Sequence, residues 1–204
     1  METYDVKKEH RALYAPRAGE IAIVDVPEFT YLMVDGHGNP NTADAYRHAV
    51  EALYTVSYGV RFAAKHELAR VHVVAPLEGL WWADDLSAFS ARAKDDWRWT
   101  MMIHQPEWVT AEMVAAATQA ARRKKELPGL ERLRFGRFAE GLSAQTLHVG
   151  SYEDEAPVIA RMHEFATAQG HALRGKHHEV YLSDPRKVDA TKLKTVLRQP
   201  VVPR

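Results

Sequence analysis

Twice along the chain a β-rich run leads into a long amphipathic helix and then into a second β-rich run that stops at a proline, first at Pro76 and again at Pro185. That order constrains the fold more than any other feature. In the first pass, Ile21-Ala-Ile-Val-Asp-Val26 stops at Pro27, and Phe29-Thr-Tyr-Leu-Met-Val34 is closed by Asp35-Gly-His-Gly38. Asn41 is expected to cap a helix on which Tyr46, Ala49, Val50, Leu53 and Val56 recur at three-to-four spacing. Val71-His-Val-Val-Ala75 is the next expected strand. Trp97-Arg-Trp-Thr-Met-Met-Ile103 alternates, with Trp97, Trp99, Met101 and Ile103 on one face. Thr110 caps a second helix that ends in Arg122-Arg-Lys-Lys125 and Pro128-Gly129. In the second pass, Gln145–Val149 is a strand, a helix runs from near Pro157 to Gly170, and Glu179-Val-Tyr-Leu182 is a strand. Asp189 is expected to cap a short last helix carrying Leu193, Val196 and Leu197. The order points to α+β rather than alternating βαβ units. With no Gly- or Ser-rich linker, one domain over 1–204 is expected, with pseudo-repeat halves of about 17–127 and 130–204.

Composition removes several function classes. The 204 residues are 46% apolar, enough for an ordinary globular core, and contain no cysteine. Disulfides, thiolate zinc sites, iron–sulfur ligation and a cysteine nucleophile are therefore excluded. Lys+Arg and Asp+Glu balance at 27 each, which argues against a nucleic-acid partner. Arg122–Lys125 reads as a solvated helix end, and no helix-turn-helix or other DNA-binding signature accompanies it. The start, METYDVKKEHRALY, is polar, and no window reaches 18 apolar residues, so a soluble cytoplasmic protein without a membrane partner is expected.

Familiar catalytic motifs fail. Asp35-Gly-His-Gly38 lacks the third glycine of a phosphate cradle, and Gly141-Leu-Ser-Ala-Gln145 misses the last glycine of a nucleophile elbow. No H-E-x-x-H occurs, and the adjacent His177 and His178 point to opposite faces of a strand, so no metal and no cofactor are expected. The five tryptophans all fall between residues 81 and 108, which suits either core packing or a surface for flat ligands. In His177-His-Glu-Val-Tyr-Leu182, alternation puts Val180 and Leu182 toward the helices and His177, Glu179 and Tyr181 on the opposite face. From spacing alone Glu179 reads as solvent-facing, with a carboxylate awaiting a cation or a water as the alternative. His148, beside Thr146 on the outer face, reads first as a hydrogen-bonded structural histidine, and Tyr54 and Tyr58 as a packing pair.

Pro76-Leu-Glu-Gly-Leu-Trp-Trp82, Trp97-Arg-Trp99, Met102-Ile103 with Gln105-Pro106, Gln145-x-x-His148-x-Gly150, His178-Glu-Val-Tyr-Leu-Ser-Asp-Pro185 and Lys194-Thr-Val-Leu-Arg-Gln-Pro200 together resemble the GyrI-like small-molecule-binding family. The resemblance runs from near Tyr4 to Val201 and is to the stand-alone branch, which includes cyclopropanoid hydrolases. It implies duplicated strand–helix–strand–strand units forming a curved antiparallel sheet, helices on the convex side and a ligand cleft on the concave side. It also implies binding of hydrophobic polyaromatic, often cationic, compounds in multidrug binding or xenobiotic detoxification. Glu179 falls at the family's acidic ligand-meeting position, which reverses the preference drawn from spacing.

For a hydrolase that adds water to a strained cyclopropane, Glu179 would be the base or water-positioning group. Tyr58, Tyr152 or Tyr181 would donate to the carbonyl, a choice the sequence leaves open. Trp82, Trp99 and Trp108 would be aromatic walls, with Glu78 a second carboxylate at the rim and His148 a further lining residue. One departure from the stand-alone pattern is His72, where an aromatic residue such as Tyr is typical. An interaction module for a protein partner is the least supported reading.

Overall fold

The computed structural model describes residues 3–83 and 94–204. In chain order the elements are β1 (Thr3–Tyr4), α1 (Val6–Glu9), α2 (Arg11–Tyr14), β2 (Ile21–His37), α3 (Asp44–Glu67), β3 (Val71–His72), β4 (Leu77–Trp82), β5 (Arg98–Gln105), α4 (Ala111–Lys124), β6 (Leu133–Val149), α5 (Ala156–Ala168), β7 (His171–Leu173), β8 (His177–Tyr181) and β9 (Lys194–Pro203). They divide into two compact units: Met1–Glu9 with Phe29–Phe138, and His10–Glu28 with Ala139–Arg204.

The fold is α+β, and the duplication is plain in the ladders. In the first unit β5 pairs antiparallel with β2, from Thr30↔Gln105 to His37↔Arg98, and with β4, from Leu77↔Ile103 to Trp82↔Arg98. In the second, β9 pairs antiparallel with β6, from Ser143↔Pro200 to Val149↔Lys194, and with β8, from His178↔Arg198 to Tyr181↔Thr195. Each unit thus repeats one order, a segment of a long strand, a helix and two strands, with the last strand lying between the other two. β7 adds to β9 in the second unit, and the two-residue β1–β3 pairing in the first is parallel.

In the first unit the face carrying Trp81 and Trp99 packs on α3. Tyr46 of α3 lies 6.2 Å from the Trp81 ring and 5.4 Å from that of Trp99. Ala49, Ala52, Leu53, Val56, Val60 and Ala64 form the buried stripe of that helix. Gly36 is required beneath the indole, because a Cβ there would lie 2.1 Å from the Trp99 ring. α4 starts as expected, with the Thr110 hydroxyl accepting from the Met113 amide.

Several sequence expectations need correction. β2 runs on through Pro27, which is exposed and precedes the ladder to β5. Asn41 does not cap α3. Its amide donates to the Asn39 side chain in a local turn, and the helix starts at Asp44. The expected strand 71–75 shrinks to two residues, and β4 begins after Pro76 instead. The expected last helix is strand β9. Asp189 does cap a single 3₁₀ turn, but Thr195–Val201 are buried without a break, so their apolar spacing reflects a strand covered on both faces.

The face assignment of β8 is also inverted. Glu179 lies opposite Leu197 in the ladder, so both side chains stand on one face. Leu197 packs with Met162 and Ala166 of α5, and that is the helix side. Val180, opposite Val196, is buried on the other side. Both faces of β8 are covered, and alternation assigns a face only when one of the two is wet.

Candidate functional site

The second unit gathers four polar side chains around β8. Glu179 is 14% exposed and accepts a 2.7 Å hydrogen bond from the Tyr181 hydroxyl on Oε2. Its other oxygen, Oε1, stands 3.4 Å from Nε2 of His177, which is 10% exposed. Neither ring nitrogen of His177 has a hydrogen-bond partner among the described residues. The Tyr152 ring meets that of Tyr181 edge to face at 5.8 Å. Burial first, then the charges of Glu155, Glu179 and Asp184, pushes the Tyr152 hydroxyl up to about 12. At neutral pH it is therefore a hydrogen-bond donor.

Local structure explains why Tyr152 reaches this place. β6 ends at Val149, and the Gly150 amide donates to Leu193 O. The His148 Nε2 bonds the Ser151 carbonyl at 2.9 Å, which fixes that nitrogen as the protonated one. Ser151 then bonds Asp154, and a 3₁₀ turn presents Tyr152. His148, 6% exposed, is thus the buried brace of this turn.

A second polar cluster occupies the opposite face of the same ladder. Glu140, 2% exposed, lies 2.9 Å from Nδ1 of His178 and 3.5 Å from Nη1 of Arg198, both fully buried. Arg198 also donates to Gln145 at 2.6 Å and to the Leu13 carbonyl, with its guanidinium over the Tyr14 ring. Burial alone would raise the Glu140 carboxyl, but His178 first and then Arg198 outweigh it and hold the group below the usual carboxylate range. Sequence reading missed this cluster, since Glu140, His178 and Arg198 come together only through the fold.

The remaining sequence candidates lie in the first unit. Glu78 is fully buried and accepts from the Tyr31 hydroxyl at 3.4 Å, so it is no rim residue. By register it shares the face of Met33 and Met102, away from Trp81 and Trp99. Trp99 is fully buried against Tyr46, with Nε1 donating to Gly38 O, and acts as core rather than wall. Trp108 packs edge-on to Tyr4 at 5.3 Å, with Arg70 over its ring at 5.1 Å and His72 beside it. Tyr58 is exposed on α3 and stacked on Tyr54. Trp82 is half-buried at the end of β4. The structure thus unites Glu179, Tyr181 and Tyr152, and it adds His177 to them.

No three His, Asp or Glu side chains among the described residues are arranged to hold a metal ion. No helix among them is long and apolar enough to cross a membrane.

The model of the GyrI-like small molecule binding domain matches residues 19–202. The chain belongs to this family. An uncharacterized conserved protein from Listeria innocua is 38% identical, with 98% of this chain and 100% of that one covered and a TM-score of 0.91. A hydrolase from Listeria innocua is 37% identical over the same shares, with a TM-score of 0.86. The C-terminal domain of EcmrR, 11% identical over 91% of this chain and 98% of that one, shares the fold at a TM-score of 0.58. No curated protein matches the chain. As a GyrI-like chain it carries a small-molecule-binding domain.

Proposed function

We propose that this GyrI-like chain binds hydrophobic polyaromatic compounds, often cationic, with Glu179 as the charge they meet, and that it serves in xenobiotic resistance. The carrying observation is the Glu179 carboxylate itself. It is nearly buried, its oxygens face the Tyr181 hydroxyl and the His177 imidazole, and among the described residues no lysine or arginine pairs with it. A carboxylate kept dry without a positive partner is costly, and a bound cation returns what desolvation removed. Tyr152 and Tyr181, set edge to face, offer flat apolar surface next to that charge. In the test, a lipophilic cationic dye quenches tryptophan fluorescence of the wild type, and Glu179→Gln weakens binding by at least tenfold. Equal affinity in the variant removes Glu179 from the role. Tyr58→Phe and Trp82→Ala, titrated alongside, decide whether these first-unit side chains take part.

The Listeria relative described as a hydrolase supports a second reading, addition of water to the cyclopropane of DNA-alkylating cyclopropanoids. Glu179 would take a proton from the attacking water, which bonds to the methylene carbon. The ring C–C pair moves into the dienone, and the carbonyl oxygen gains its proton from Tyr152, whose hydroxyl is protonated at neutral pH. Incubation with such a substrate should yield a product heavier by one water, with turnover lost in Glu179→Ala. Failure across several cyclopropanoids with intact protein leaves only binding.

A further inference from the structure

The side chain beside Glu179 that no role has absorbed is His177. It is nine-tenths buried, both ring nitrogens lack a hydrogen-bond partner among the described residues, and Nε2 stands 3.4 Å from Glu179 Oε1. Buried imidazole nitrogens are normally satisfied, so a pair left open beside a carboxylate calls for an occupant or a proton. The opposite side of Glu179 is closed, because the Tyr181 hydroxyl holds Oε2 at 2.7 Å.

We propose that His177 determines which ligands the Glu179 site accepts. Neutral His177 leaves the carboxylate charge open to a cation, whereas protonated His177 pairs with Glu179 and turns the site toward neutral aromatic compounds. The proposal rests on the reading that Glu179 meets a cation, and it assigns the group that controls that charge.

The surrounding groups fit this division. From β8 itself the neighbours are Glu179 and Tyr181, and next to them stands Tyr152 from the turn after β6. From α5, His163 feels the charge of His177. Burial first and that charge second lower its own proton affinity, while Gln199 of β9 opposes them. Two imidazoles so coupled are not readily charged together, and of the two it is His177 that faces the Glu179 carboxylate, at 3.4 Å. Arg198 and His178 stand on the other face, committed to Glu140. No change of backbone is needed, since a single proton on one ring alters the net charge of the pair from −1 to 0. Histidine is the side chain that titrates in the range where this matters.

The experiment is a titration of the full chain with rhodamine 6G, a permanently cationic aromatic dye, between pH 7.5 and 5.5, alongside an uncharged polyaromatic, pyrene. Wild-type affinity for the dye should fall by roughly tenfold toward pH 5.5, with pyrene affinity held or raised. His177→Gln should bind the dye at pH 5.5 as it does at pH 7.5, and His163→Gln should keep the wild-type slope. The same slope in His177→Gln overturns the proposal. Calorimetry on the wild type alone, in two buffers of different ionisation enthalpy at pH 6, should show protons released as the dye binds. No release also overturns it, whatever the fate of the variants. If instead Glu179→Gln binds the dye at pH 7.5 as tightly as wild type, the underlying reading fails and this proposal falls with it, an outcome distinct from a lost slope in a site that still needs Glu179.

Discussion

Glu140 and Glu179 both lose most of their water, at 2% and 14% side-chain exposure, but among the described residues an arginine, Arg198, pairs with Glu140 and none with Glu179. Its pairing with His178 and Arg198 is complete within the fold, and such a buried set serves structure. Because the Glu140 carboxyl is held below the usual range, its stabilisation is present above roughly pH 4.3 and is lost as pH falls through the folded value. Removing one member leaves the others charged and unsolvated. Glu140→Gln should therefore destabilise the fold by about 3–5 kcal/mol in urea titrations at pH 7. Glu179→Gln should change stability by less than about 1 kcal/mol, or raise it, since no charge is left behind. Comparable losses in the two variants would assign Glu179 to structure and count against its role as a ligand-meeting group.

At the level of elements, what was legible followed from which faces meet water. α3 keeps one wet face, so its apolar stripe repeats at helical spacing and was read from sequence, whereas α4 was read from its Thr110 cap and basic last turn. β4 is buried along Glu78–Trp81 on both faces and sits just past a proline, so Leu77–Trp82 offered no alternation and was missed. β9 failed in the same way. Leu193, Val196 and Leu197 matched a helical stripe only because every position from Thr195 to Val201 is apolar or a buried polar partner such as Arg198. The candidate site shares this history. Glu179 was legible through family resemblance, and Tyr181 through its place two residues on. The choice of Tyr152 over Tyr58 as the neighbour of Glu179 within its unit depends on the turn braced by His148, a contact that no spacing rule encodes. Within the tryptophan cluster, Trp99 is core for a physical reason. Trp99 fills space above Gly36 that a side chain there would block, so a large indole was needed as core and carried no information about ligands.

Across the whole chain the two units repeat one topology, yet each spends its buried polar residues differently, and this governs how the molecule responds to acid. In the second unit Glu140 has its counter-charges, but in the first the buried His72 has a like charge near it. It is 1% exposed on β3, its Nδ1 lacks a partner among the described residues, and Arg61 donates at 2.8 Å to its carbonyl, bringing a like charge near. Burial first and Arg61 second push its proton affinity down to about 4, against about 6.5 in an unfolded chain. Between those values the unfolded chain binds a proton that the folded one refuses. The sign is thus fixed: this contribution to stability is full above pH 6.5 and drains away as pH falls toward 4. At pH 5 the loss is about 2 kcal/mol relative to pH 7.5. An aromatic residue that cannot titrate removes the term without emptying the space beside Trp108. His72→Phe should therefore lose about 2 kcal/mol less than wild type between pH 7.5 and pH 5 in urea unfolding, whatever its absolute stability. An equal loss in both proteins would place the acid sensitivity of the fold on other groups, with His163, lowered in the same direction, the next to replace.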